Sequence, residues 1–167
     1  GGGVVAPELV SKAEPDGYTL LSYGNSFWLM PLMRAHVPYD PIKDFVPITQ
    51  AMISYNVLVV QQKLGVNSVK ELIAMAKAKP GKLNYSSAST GTSNHLAAEV
   101  FKAMTGTDIV RVPFKGSGPA LNALVAGETD LMFSSPAPAI PHIKSGRLKL
   151  LGVSSPVPSA VSAGTPT

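Results

Sequence analysis

Short apolar runs alternate with amphipathic stretches along this chain, the pattern of βα units around a largely parallel sheet. Val4 to Ala13 reads as a short helix, and Pro15-Asp16-Gly17 as a turn in which Pro presets φ and Gly accepts φ > 0. Tyr18 to Tyr23 is predicted to be a buried strand running into the small loop Gly24-Asn25-Ser26, and Phe27 to Met33 a short helix. Val37 to Thr49 (VPYDPIKDFVPIT) carries three prolines and predicts an irregular connection before a strong strand, Asn56 to Val60 (NVLVV). Ser68 and Glu71 then form an S-x-x-E capping box. Val69, Leu72, Ile73 and Ala76 make one apolar helical face at i, i+3, i+4 and i+7, and Pro80-Gly81 ends it.

Four further strands and three helices follow in alternation. The strands are Leu83 to Ser87, Ile109 to Val112, Leu131 to Phe133 and Leu148 to Val153. The first helix, Ser93 to Met104, ends at Gly106; the second has Pro119 at its first position and closes at Gly127; the third, Pro136 to Ser145, stops at Gly146. From Ser154 onward the chain is Ser, Pro, Ala and Val without period, which reads as a linker.

Composition narrows the class. Of 167 residues, 45% are hydrophobic and 14% charged, too apolar for disorder, and no apolar run approaches the ~18 residues of a membrane span. The excess of 14 Lys+Arg over 10 Asp+Glu favours anionic partners weakly. The bases are dispersed, with Lys70, Lys77, Lys79 and Lys82 along one helix and its exit, and no aromatic residues interleave them as a nucleic-acid platform requires. Nucleic acid is therefore not an expected partner. Cysteine is absent, which excludes disulfides, thiolate nucleophiles and Cys-based zinc sites.

Three strands end alike, in a small polar loop that leads into a helix: Ser86 to Asn94 (SSASTGTSN), Lys115 to Pro119 (KGSGP) and Ser134 to Pro136 (SSP). Ligands of open α/β sheets bind at the carboxyl ends of strands, where helix N-termini present free N–H groups to an anion. Ser87, Thr90, Thr92 and Ser93 offer hydroxyl donors, and Gly91 permits close backbone approach. Ser, Thr and Gly are also what helix starts favour for capping alone, so what distinguishes a site here is that three such loops converge on one sheet edge.

Enzymatic patterns are missing. Lys115-Gly116-Ser117 is not a phosphate loop, and Gly24-Asn25-Ser26-Phe27-Trp28 fails the G-x-S-x-G elbow at Trp28. His36, His95 and His142 have no metal-ligand spacing, and Glu99, Glu128 and Asp130 no carboxylate-pair spacing. No metal or cofactor is expected, and His95 reads as a wall or capping residue rather than a general base.

The succession PDGYTLL, VPYDPIKDFVPIT, NVLVV, SVKELIAMAKAKPGKLNYSSA, GTSNHLAAEVFKAMTG, VPFKGSGPALNALVAGETDLMF and PHIKSGRLKLLGVSS resembles the Bug family, the solute receptors of tripartite tricarboxylate transporters. The resemblance covers nearly the whole chain in order. It implies an α/β, type II periplasmic-binding-protein fold, with two lobes joined by crossover strands, NVLVV being the first and Leu148 to Val153 the return. Residues 1–60 would be part of an incomplete lobe one, 61–153 lobe two and 154–167 a return linker. It further implies a periplasmic, non-enzymatic receptor that takes a small organic mono- or dicarboxylate and delivers it to membrane permease subunits. The carboxylate-binding positions carry over to Ser87, Thr90, Gly91, Thr92 and His95, to Gly116 and Ser117, to Ser134, and to Gly24, Asn25 and Ser26 across the cleft. Ser134 and Ser135 stand where many relatives have Asp or Asn, which points to a ligand without an ammonium group. The family's first strand and gripping loop are expected before Gly1 and the close of lobe one after Thr167, so exposed sheet edges are expected to favour self-association. Two rival readings remain: the effector-binding half of a transcriptional regulator, which shares this fold, and a hydrolase using a loop serine.

Overall fold

A computed structural model describes residues 3–155 and 166. The chain divides into two compact units, Gly1–Ile53 with Ser89–Ser93, and Ser54–Ala88 with Asn94–Thr167.

The second unit holds the sheet. Its strands are β1 (Val57–Gln61), β2 (Asn84–Ser87), β3 (Val110–Pro113), β4 (Leu131–Ser134) and β5 (Leu148–Val153), in the order β3-β2-β4-β1-β5. β2 runs parallel to both β3 and β4, whereas β1 is antiparallel to its neighbours β4 and β5. Every residue of β1 is buried, which explains why it reads as an unbroken apolar run: a strand covered on both faces has no solvent side to alternate with. Leu58 and Val60 point into one core with Leu72, Ala76, Tyr85 and Ala98, and Val57 and Val59 into the other with Leu121, Leu124 and Ala139. The first core is closed by α3 (Val69–Ala78) and α4 (Ser93–Thr105), whose Ser93 end belongs to the other unit. α5 (Ser117–Ala126) and α6 (Pro136–Lys144) close the second. The result is three layers, helix on sheet on helix.

Local chemistry sets the element ends. Ser68 caps α3 by accepting from the Glu71 N–H at 3.1 Å, and the Glu71 carboxylate reaches back to the N–H of Asn67 at 2.8 Å, one residue earlier than the usual capping box. Asn84 and Asp130 lock the starts of β2 and β4 together: the Asn84 N–H donates to the Asp130 carboxylate at 2.9 Å, and the Asp130 N–H donates back to the Asn84 side chain. α5 begins at Ser117, so Pro119 is its third residue rather than its first. Proline is tolerated there because the first-turn N–H groups have no intrahelical acceptor to lose.

In the first unit, α1 (Val5–Ser11) and α2 (Ser26–Met33) form where the apolar pattern predicts helices. Pro31 lies inside α2 and has no N–H for the carbonyl of Phe27; the Tyr39 hydroxyl donates to that oxygen instead, at 3.0 Å. Phe27 stacks on Tyr39 and meets Phe45 edge-on, a small aromatic core. Residues 37–49 are irregular, as their prolines predict.

One expected element is overturned. Tyr18 to Tyr23 is neither a strand nor buried, with Tyr18 92% and Leu20 65% exposed. An extended apolar run becomes a strand only when a neighbour completes its ladder, and among the described residues of this unit there is no strand to pair with. The linker-like residues 156–165 and Thr167 lie outside the described part.

Candidate functional site

The parallel register brings the carboxyl ends of β2, β3 and β4 to one edge of the sheet. Ser87 is level with Pro113, and Ser134 with Val57, where β1 begins. α5 and α6 start from this edge directly after β3 and β4, and Asn94 and His95 of α4 stand there too. Of the residues that sequence reasoning placed in a site, this unit gathers Ser87, His95, Gly116, Ser117 and Ser134.

Their hydroxyls are not free donors. Ser87 Oγ donates to the Ala88 carbonyl (3.2 Å), Ser134 Oγ to the Ser135 carbonyl (3.1 Å), and Ser117 Oγ to the side-chain oxygen of Asn94 (3.3 Å). Ser87 and Ser134 are also fully buried. What the edge offers an anion is backbone. Gly116, the N-cap of α5, provides no side-chain cap, and Ser117 and Gly118, both exposed, are the first two residues of the helix. α6 is likewise uncapped by its Ser135, but Pro136 and Pro138 remove two of its first three N–H donors. Among these two helices α5 is the better anion cradle, with the dipole contributing ~0.3–1 kcal/mol.

Two residues that sequence reasoning missed hold this edge together. Asn94, buried in the first turn of α4, donates to the Phe133 carbonyl at 2.8 Å while accepting from Ser117, so it ties β4, α4 and α5. Arg111, on β3, donates from Nε to Ser87 Oγ at 2.8 Å and from Nη2 to the Ala88 carbonyl at 3.0 Å. The available signals were an Asn inside a helix, where it is unfavourable without a partner, and a charge in the apolar run Ile109 to Phe114.

Next to Arg111 lies a polar cluster beneath α4. The buried Tyr85 hydroxyl donates to Glu99 at 2.5 Å, and Lys102 donates to the same carboxylate at 3.0 and 3.2 Å. Burial, followed by the Glu99 contact, pushes the Tyr85 phenol above its ordinary range. Burial alone would raise Glu99, but hydrogen bonds from Tyr85 and Lys102 hold its carboxyl below the usual range. His95 is buried, and burial first and the Arg111 charge second lower its pKa, so the imidazole is neutral near pH 7. A shallow depression lined by Glu99, Lys102, Gly106 and Asp108 runs along the second half of α4 and past its C-terminus.

Gly24, Asn25, Ser26, Thr90, Gly91 and Thr92 belong to the first unit. Gly24 and Asn25 carbonyls accept from Phe27 and from Trp28 and Leu29, so this segment is the opening turn of α2 rather than a free loop. Thr92 Oγ1 donates to the Ser89 carbonyl at 2.8 Å. Gly91 has φ +83°, and a Cβ on it would lie 3.2 Å from Met30 Cε and 3.6 Å from Ser26 Cβ. Within this unit, what comes close to its backbone is α2.

An open α/β sheet whose parallel strands end at helix N-termini on one edge is an architecture that periplasmic binding proteins share with other ligand-binding α/β folds. The sequence profile of the tripartite tricarboxylate transporter family receptor (TctC) matches residues 1–163, and this chain belongs to that family. It is 36% identical over 92% of its length to a protein encoded in the tcbD-tcbE intergenic region of a Pseudomonas species, and 35% identical over 99% to BugT of Bordetella pertussis. It covers 46% and 52% of those proteins, so it spans about half the length of the curated relatives it matches. Among solved structures it resembles a periplasmic transporter with TM-score 0.90 and 38% identity, over 99% of this chain and 56% of that one. It also resembles an R. palustris protein solved with adipate (TM-score 0.86, 33% identity, 99% of this chain and 59% of that one) and MatC of Rhodopseudomonas palustris with bound malate (0.85, 27%, 99% and 57%).

Proposed function

We propose that this chain is part of a periplasmic solute-binding receptor, not an enzyme, which captures a small organic mono- or dicarboxylate for the membrane permease of a tripartite tricarboxylate transporter. The observation that carries the reading is the start of α5, where Gly116 gives no side-chain cap and Ser117 and Gly118 are exposed, on the edge where three parallel strands end. Such a helix start suits a carboxylate, and the solved relatives that hold adipate and malate support that ligand class. The hydroxyls of Ser87 and Ser134 donate to carbonyl oxygens, which favours a binding site over a serine nucleophile. Residues 1–60 would contribute to one lobe of the receptor and 61–153 to the other, with 154–167 leading back.

The test is a thermal-shift and calorimetric screen of the full-length protein against aliphatic and aromatic acids, with amino acids and sugars as the counter-panel, preceded by native mass spectrometry for a co-purified acid. An acid that fits should stabilise by ~2.7 kcal/mol at a hundredfold excess over its dissociation constant and show no turnover. Stabilisation by sugars or amino acids with none by any acid would refute the carboxylate reading.

A further inference from the structure

We propose that Arg111 is a positioning residue for the ligand edge: its guanidinium clamps the carboxyl end of β2 by holding Ser87 and Ala88 in one arrangement before a ligand arrives. The inference rests on the proposed function in that the clamped edge is the one assigned to the carboxylate.

The geometry is a closed triangle. Arg111 Nε donates to Ser87 Oγ at 2.8 Å, Arg111 Nη2 donates to the Ala88 carbonyl at 3.0 Å, and Ser87 Oγ donates its own hydrogen bond to that same carbonyl at 3.2 Å. Ser87 and Ala88 are buried and Arg111 is half-buried, so both acceptors are shielded from bulk water, and charge-assisted bonds are the stronger kind. Arg111 sits opposite Tyr85 in the β2–β3 register, two residues before Pro113, which is level with Ser87. Its side chain therefore reaches along the sheet toward the strand ends. A lysine cannot repeat this, because one ammonium lacks the planar fork that addresses two acceptors at once. The same strand end is tied a second time, where the Phe114 N–H donates to the Ser87 carbonyl at 2.8 Å. Arg111 thus adds, to the Ser87 carbonyl pairing, a hold on the Ser87 hydroxyl and on the next backbone carbonyl, that of Ala88. A preordered edge leaves less ordering for the ligand to impose, which is where affinity is gained.

Because Arg111 acts through Ser87, their effects on binding should not multiply. The experiment is a double-mutant cycle in the full-length protein, with Arg111→Met, Ser87→Ala and the pair, titrated with whichever acid the wild type binds. Arg111→Met is expected to weaken binding about tenfold, the cost of having to order one or two groups when the ligand binds. The pair should be no weaker than Arg111→Met alone. Amide exchange at Phe114 should be faster in Arg111→Met than in wild type, with or without ligand. If Arg111→Met does not fold, Arg111→Lys, which keeps the charge and loses the fork, takes its place in the cycle. Wild-type affinity in the arginine variant, or single effects that multiply in the pair, overturns the clamp. A wild-type protein that binds no acid refutes the proposed function instead; the exchange arm then decides the clamp, and unchanged exchange at Phe114 overturns it.

Discussion

Replacing Gly91 with alanine tests whether its conformation and its neighbours demand glycine. The backbone there has φ +83°, a region that costs an L-residue ~1–2 kcal/mol because its Cβ crowds the neighbouring carbonyl. The new methyl would also stand 3.2 Å from Met30 Cε, 3.5 Å from Met33 Sδ and 3.6 Å from Ser26 Cβ. Met30 is completely buried, yet the atom approached is the end of a flexible chain and needs to give only a few tenths of an ångström. The backbone therefore dominates, and Gly91→Ala should lose ~1–2 kcal/mol in urea unfolding of the full-length protein. Gly91→Val adds overpacking, for a total of ~2–5 kcal/mol. Gly118→Ala is the control: nothing lies within 4 Å of its Cβ and it is helical, so it should be neutral or stabilising by up to ~1 kcal/mol. If Gly91→Ala unfolds at the wild-type urea concentration, the reasoning from φ and from Met30 is wrong.

Ser117→Pro removes the first backbone donor of α5 at the N1 position, where proline is favoured and where Gly116 before it is already extended; carboxylate affinity should fall about tenfold relative to Ser117→Ala, with little change in melting temperature. Ser68→Ala deletes the cap of α3 and should cost ~1 kcal/mol by denaturant unfolding. Ser86 Oγ is fully buried without a hydrogen-bond partner, so Ser86→Ala should be neutral or stabilising, and a loss of 1–2 kcal/mol would contradict that picture. His95 has a lowered pKa when folded, so below its ordinary 6.5 the unfolded chain binds the extra proton and stability falls with pH; His95→Gln should flatten this part of a stability-versus-pH curve recorded from pH 7.5 to 5.

The sequence by itself determined the elements whose cause is local or periodic. The capping pair Ser68 and Glu71, the apolar face from Val69 to Ala76 and the glycines that end α4, α5 and α6 can be read without a fold, because their partners are a few residues away. β1 is legible for a different reason: burial on both faces leaves an unbroken apolar run. The run Tyr18 to Tyr23 has similar local chemistry and is not a strand, since a ladder needs a distant partner that a local pattern cannot supply. The candidate site divides the same way. That Ser87, Gly116, Ser117 and Ser134 lie at strand-to-helix turns follows from periodicity, but which of them can meet a ligand does not. Tertiary structure buried Ser87 and Ser134, turned their hydroxyls onto carbonyls, and left the backbone at Ser117 and Gly118 exposed. It also brought Arg111 to Ser87 across 24 residues and Asn94 to Phe133 across 39. A hydroxyl's single proton goes to whichever acceptor the fold places nearest, and no spacing along the chain encodes that choice.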